Sequence, residues 1–119
     1  KLPDLLADRL KAKIEIDFRR TPLHEAFAYI GEESHVTFDL DGDALKDKGM
    51  TQNMAQNQQL GEVPAIDAIY AIIGGYKDEG MCVVVDEGKK VATVMTLKFL
   101  EVRGVKESST VKILRPTDK

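Results

Sequence analysis

The sequence predicts an α+β domain: duplicated βαβ units that place two helices on a small mixed β-sheet, with a C-terminal hairpin. Three observations carry that prediction. First, the chain repeats itself. Phe18-Arg19-Arg20-Thr21-Pro22-Leu23-His24-Glu25-Ala26-Phe27-Ala28-Tyr29-Ile30 aligns without a gap on Leu60-Gly61-Glu62-Val63-Pro64-Ala65-Ile66-Asp67-Ala68-Ile69-Tyr70-Ala71-Ile72, 42 positions later (60 − 18). In that register Pro22 meets Pro64, Glu25 meets Asp67, Ala26 meets Ala68, Phe27 meets Ile69 and Ile30 meets Ile72. Second, each proline is followed by apolar residues at helical spacing, and each helix is flanked by strand-like segments. Third, 119 residues with 43% hydrophobic and 31% charged content suit one globular domain with a modest core.

At the start of the chain, Leu2, Leu5, Leu6 and Leu10 fall at helical spacing behind Pro3, so residues 1–12 read as a lead helix or the end of a linker. Ile14-Glu15-Ile16-Asp17-Phe18 alternates with period two and reads as a half-buried strand. Thr21 is then expected to cap the first main helix, with Pro22 at its first position and Glu25 in the first turn, where the dipole favours an acid. Leu23, Ala26, Phe27 and Ile30 form its apolar stripe. Gly31 interrupts that stripe, and the helix runs on through Glu32 and Glu33 towards Ser34-His35.

Val36-Thr37-Phe38-Asp39-Leu40 alternates again as a second strand, followed by turn chemistry at Asp41-Gly42-Asp43 and a short helical turn from Ala44 to Lys48, stopped by Gly49. The amide-rich stretch Met50 to Gln59 should hold the strand that opens the second copy, ending near Leu60. Pro64 starts the second main helix, whose stripe is Ala65, Ala68, Ile69, Ile72 and Ile73, and Gly74-Gly75 ends it. Met81 to Val85 and Val91 to Thr96 form a hairpin around Asp86-Glu87-Gly88-Lys89-Lys90. Leu97, Phe99 and Val102 are read as extending the last strand, Val111 to Leu114 as a further short strand, and Pro116 to Lys119 as a polar tail. The expected organisation is 1–12 lead segment, 13–96 duplicated domain, 97–119 C-terminal extension. Parallel crossovers within the repeats are expected to be right-handed.

Chemistry is sparse. A net charge of −3 argues against a nucleic-acid surface, and no apolar run approaches the roughly 20 residues that span a bilayer. The chain opens at Lys1-Leu2-Pro3 without an initiator methionine and reads as part of a larger protein, so missing targeting signals say nothing of its compartment. Cys82, in the β-branched run Met81 to Val85, reads as a small buried hydrophobe, and a single cysteine leaves the redox compartment open. His24 and His35 lack metal-ligand spacing. Asp39, Asp41 and Asp43 begin a calcium-loop pattern that fails at Ala44 and Met50, where glycine and glutamate belong. Arg19 and Arg20 precede a helix but read as a solvated pair. No serine has a nucleophile-elbow context, no glycines have phosphate-binding spacing, and no carboxylate pair sits in an apolar setting. No catalytic residue, cofactor or metal is therefore predicted, and the chain is not expected to be an enzyme. One composition stands out: Gln52, Asn53, Gln56, Asn57 and Gln58. As an edge strand these residues are candidates for pairing with another chain; as a polar connecting loop they are not.

The succession Ile16-Asp17-Phe18, Thr21-Pro22-Leu23, Ala26, Ile30 and Val36-Thr37-Phe38, then Leu60, Val63-Pro64-Ala65, Ala68, Ile72 and Val83-Val84-Val85, resembles the short N-terminal domain of secretins and TonB-dependent receptors. The resemblance covers about Ile14 to Thr96. Similar segments, with stretches like Gly42 to Leu45 and Thr51 to Met54, also occur in large planctomycete-type proteins. That family is built from two βαβ-type halves. The resemblance implies a non-enzymatic module that contacts a protein partner at the cell envelope or periplasm, with membrane association only through the rest of the full-length protein. The long stretch Asp41 to Gln59 and residues 97–119 depart from the family pattern, and neither a secretin barrel nor a TonB box is visible. The alternative expectation is a small-ligand or peptidoglycan-fragment module with a pocket near Tyr29, Tyr70 and Tyr76. A clustered site of His24, His35 and a carboxylate would revive an enzyme.

Overall fold

The computed structural model describes residues 1–118; Lys119, the end of the expected polar tail, lies outside the described residues. The elements are α1 (Leu6–Arg9), β1 (Lys13–Asp17), β2 (Thr21–Pro22), α2 (Leu23–Ser34), β3 (Phe38–Leu40), α3 (Gly42–Asp47), β4 (Ala55–Gln56), β5 (Gln59–Pro64), α4 (Ala65–Gly74), β6 (Met81–Asp86), β7 (Val91–Thr96), α5 (Leu97–Val102) and β8 (Val111–Leu114). The class is α+β, as the sequence predicts. The strands form two antiparallel pairs, β1–β5 and β2–β4, and a mixed sheet of order β3-β7-β6-β8 in which only β3 and β7 run parallel.

The repeat appears as β1-α2-β3 and β5-α4-β6. The first strands of the two halves pair with each other, and β3 and β6 enter the larger sheet on either side of β7. Each main helix thus carries the chain from the small sheet to the large one. Neither half returns to the sheet it left, so the expected right-handed crossover within one sheet does not arise. The cause lies in the helix faces. In α2 the residues Leu23, Ala26, Phe27, Ile30, Gly31 and Ser34 are all buried, a stripe wide enough to meet β1 on one side and β3 on the other. In α4 no position from Ala65 to Ile73 is exposed, so this helix sits at the centre.

Both main helices begin differently from the sequence expectation. Pro22 and Pro64 are themselves the N-cap residues, with φ −55° in both and ψ 144° and 141°, and neither helix has a side-chain cap. Thr21 is not the cap. Its Oγ1 accepts from the Arg19 N–H at 3.2 Å, and Thr21–Pro22 pairs with Ala55–Gln56. Main-chain carbonyls from distant segments serve the free first-turn donors instead. The His24 N–H donates to Gln52 O, the Ala65 N–H to Ala12 O and the Ile66 N–H to Leu10 O, each at 2.9 Å. At its other end α2 closes on His35 in the left-handed region (φ 61°), with the Val36 N–H donating to Gly31 O at 2.9 Å. A Cβ at position 31 would lie 2.5 Å from Val36 O, so only glycine lets the chain turn back this tightly.

Two further elements depart from expectation. The strand opening the second copy does not end near Leu60 but runs to Pro64, with an irregular register opposite Ile16 and Asp17 and Gly61 at φ 67°. Residues 97–102 are a helix, not an extension of β7. Thr96 Oγ1 accepts the Phe99 N–H at 3.3 Å and caps α5. The apolar residues that suggested a strand pack elsewhere. Phe99 and Leu100 cover the face of β6 and β7 that turns away from α2 and α4, over Cys82, Val84, Met95 and Ile113. Met81, Val83 and Val85 point to the opposite face and join the main core with Ile30, Ile69 and Ile72. Alternation along β6 therefore feeds two cores, which explains why its first five residues are all buried.

Candidate functional site

The candidate interaction features are strand edges, so the first question is which edges are open. In the larger sheet β8 and β3 lie at the ends. The outer side of β8 is covered by the turn that precedes it. The Ser108 N–H donates to Val111 O at 3.0 Å, the Val111 N–H donates to Ser108 Oγ at 3.2 Å, and the Ile113 N–H reaches Glu107 Oε2 at 3.4 Å. Glu107 is held in turn by Arg115 at 3.4 Å. These contacts block strand addition. β1 is partly closed as well, because the Tyr29 hydroxyl donates to Glu15 O. The outer sides of β3 and β5 have no neighbouring strand among the described residues. β5 carries two features that discourage indiscriminate pairing, the Gly61 irregularity and Pro64.

The five amides do not form one edge. Gln52 and Asn53 are exposed; Gln56 is only 2% exposed, and its Nε2 donates to Met54 O at 3.1 Å and to the Tyr76 hydroxyl at 2.8 Å. Asn57 is exposed, yet its Oδ1 accepts the Arg20 N–H at 2.9 Å, which holds that residue at φ 56°. Gln58 is half-buried and its carbonyl accepts the Phe18 N–H at 2.7 Å. The segment is folded back against β2, α2 and β1, and its polar groups mostly serve the fold. As an interaction residue Gln56 is thereby corrected: it is a buried structural amide.

Other candidates are also dispersed. His24 and His35 are exposed at opposite ends of α2, about 16 Å apart along its axis at roughly 1.5 Å per residue. Tyr70 and Tyr76 do not line the groove beside Tyr29. Tyr29 lines a groove of about 360 Å³ with Glu15, Asp17, Phe18, Thr21 and Glu25, whereas Tyr76 is turned to Gln56. A second groove, about 600 Å³, follows the α2–β3 junction past Ala28, Glu32 and Phe38. A largely apolar cleft, about 550 Å³, lies between α1, α4 and β8, with Leu5, Leu10, Ile66, Val85 and Leu114 on its walls and Lys11, Glu87 and Lys112 among its polar residues. Among the described residues no three His, Cys, Asp or Glu side chains stand together as metal ligands, and no helix is long and apolar enough to cross a membrane.

The perturbed ionisable groups belong to the fold. Arg103 forks onto Asp41 at 2.9 and 3.0 Å and is the main reason that carboxyl sits below its usual range; burial opposes it, and the Ala44 N–H at the α3 N-terminus adds to it. Glu87 is pushed up by burial but held lower overall by the Ala7 and Leu6 N–H groups and by Lys90. It caps α1 from the far end of the sequence. Burial pushes the Cys82 thiol up to about 12, the opposite of a reactive setting. Sequence reasoning missed Glu87, Glu107 and Tyr29 as edge and end caps; each is an ordinary polar residue whose partner lies elsewhere in the chain, and no local signal marks it. No family model matches this chain, and no match was found among curated proteins or solved structures.

Proposed function

We propose that this chain is a non-catalytic protein–protein interaction module of a larger envelope-associated protein, contacting its partner by strand addition at open sheet edges. The contrast between edges carries the reading. β8 is closed by the turn before it and β1 is partly closed by the Tyr29 hydroxyl, whereas β3 and β5 have no neighbouring strand on their outer sides among the described residues. A fold that shields some edges and leaves others without a strand partner supports selective pairing. The envelope assignment and the kinship with the short secretin and TonB N-terminal domain rest on the sequence resemblance. A photo-crosslinking amino acid at Thr37, Asp39, Leu60 or Glu62 of the full-length protein in its source cell tests the proposal, with Lys112 beside the covered edge as control. Adducts to a protein partner from the β3 or β5 positions are expected. No adducts, or equal yields from Lys112, would refute it.

A second reading, a small-ligand module, is favoured by the apolar cleft between α1, α4 and β8. Stabilisation of the chain by peptidoglycan fragments in a thermal-shift screen, lost on Leu10→Lys or Ile66→Lys in a variant shown to be folded, would support it; an unchanged melting temperature across the screen would remove it.

A further inference from the structure

We infer that the groove between β1 and α2 docks a lysine- or arginine-bearing extended segment of a protein partner. This goes beyond the edge-pairing reading and uses different residues. The groove has an apolar floor and an acidic rim. Phe18 and Tyr29 meet edge to face at 5.8 Å, with Phe18 buried and Tyr29 half-exposed. Glu15 and Asp17 line one wall from β1, and Glu25 lines the other, one helical turn before Tyr29. Glu33, a further turn along α2, lies close enough for its charge to act on the Tyr29 hydroxyl. Burial, then Glu33, then Glu15 raise that group above its ordinary range.

These carboxylates are nearly uncompensated. Asp17 is paired with Arg19 at 2.8 Å in an exposed contact, and Glu15, Glu25 and Glu33 make no ion pair among the described residues. Lys13 is the remaining cation on β1. An acidic rim over an aromatic floor selects a side chain with an apolar stem and a cationic tip: the methylenes lie on the Tyr29 ring, which Phe18 backs, while the tip reaches the carboxylates. It disfavours anions and purely apolar groups. Because the acids stand along a strand on one wall and a helix on the other, they are spaced for successive cations of an extended chain. Tyr29 already holds Glu15 O, so the groove would read side chains, leaving backbone pairing to other edges.

The test is a titration of the 119-residue chain into the fluorescein-labelled peptide acetyl-Lys-Val-Lys-Thr-Lys-Val-Lys-amide, with amide chemical shifts mapped by NMR. Saturable binding is expected, with shifts confined to residues 15–18 and 25–33. Binding should weaken about tenfold in a Glu15→Gln/Glu25→Gln double variant and weaken with salt. The glutamate counterpart of the peptide should not bind. The Glu15 and Glu25 side chains make no ion pair to lose, so the variant should fold, which circular dichroism checks; shift mapping on the unaltered chain keeps the test decisive if it does not. Shifts elsewhere, unchanged affinity in the variant, or equal displacement by spermine would overturn the proposal. Crosslinks from β3 or β5 beside a peptide that ignores the groove would sink this inference and leave the edge-pairing reading standing.

Discussion

Gly31→Ala isolates the steric argument for the turn after α2. Alanine is the better helix former by about 1 kcal/mol, so propensity alone predicts stabilisation. The structure predicts the reverse. The added Cβ would sit 2.5 Å from Val36 O and 3.1 Å from Phe38 Cδ2. The first of these is main chain, fixed by the Val36 N–H bond to Gly31 O and by the entry of β3 into its sheet. Relief requires displacing the return strand, which forfeits a hydrogen bond worth about 1 kcal/mol and adds overpacking strain of about 1–3 kcal/mol. The net loss should be about 1–3 kcal/mol, or a fall in melting temperature of roughly 4–12 °C for a domain of this size. Gly74→Ala is the control. It is the last helical residue of α4, and nothing lies within 4 Å of an added Cβ. That variant should be neutral or stabilised by up to about 1 kcal/mol. Urea unfolding followed by circular dichroism measures both. If Gly31→Ala proves as stable as Gly74→Ala, the close approach of Val36 is not a constraint and the account of this turn is wrong.

Glu87 supplies a pH prediction. Its carboxyl is lower in the folded than in the unfolded chain, so its contribution is complete above the ordinary glutamate value of 4.5 and is lost as pH falls through the folded value; Glu87→Gln should flatten the acid limb of the stability profile, and an unchanged slope would count against the capping of α1. Tyr76→Phe removes one partner of the buried Gln56 amide and should cost about 1–2 kcal/mol in urea unfolding, with no change if that amide were exposed as an interaction residue. The buried, high-pKa Cys82 thiol should resist a disulfide reagent at pH 8 in the folded chain and react at once in denaturant; rapid reaction of the folded chain would show that the second core opens.

Much of the fold was legible because its signal is local. The stripe Leu23, Ala26, Phe27, Ile30 and its counterpart Ala65, Ala68, Ile69, Ile72 are all buried as predicted. Alternation at Ile14 and Ile16 marked β1, and the Asp86 to Lys90 turn marked the hairpin. The errors fall where a local pattern has two readings. Leu97, Phe99 and Val102 suit a strand by composition, but Thr96 caps a helix and Phe99 packs on the back of the sheet. Thr21-Pro22 looks like a cap and first position, but Pro22 is itself the N-cap and the His24 N–H already has a main-chain partner in Gln52. The candidate site was less legible: the amide run was visible as composition, and whether each amide faced water or Tyr76 was not.

By itself the sequence determined what depends on neighbours in the chain: period, turn chemistry, the duplication, and which side of each helix must leave water. Those follow from backbone geometry and side-chain hydrophobicity within a few residues. Only the tertiary structure decided how the pieces met. It set β1 against β5 and β3 against β7, gave α2 and α4 their first-turn acceptors from Gln52, Leu10 and Ala12, and closed the edge of β8 with Glu107 while leaving β3 with no outer strand among the described residues. Such contacts are settled by the joint burial of surfaces far apart in sequence and by the demand that every buried polar group find a partner, and neither condition can be evaluated until the whole chain is in place.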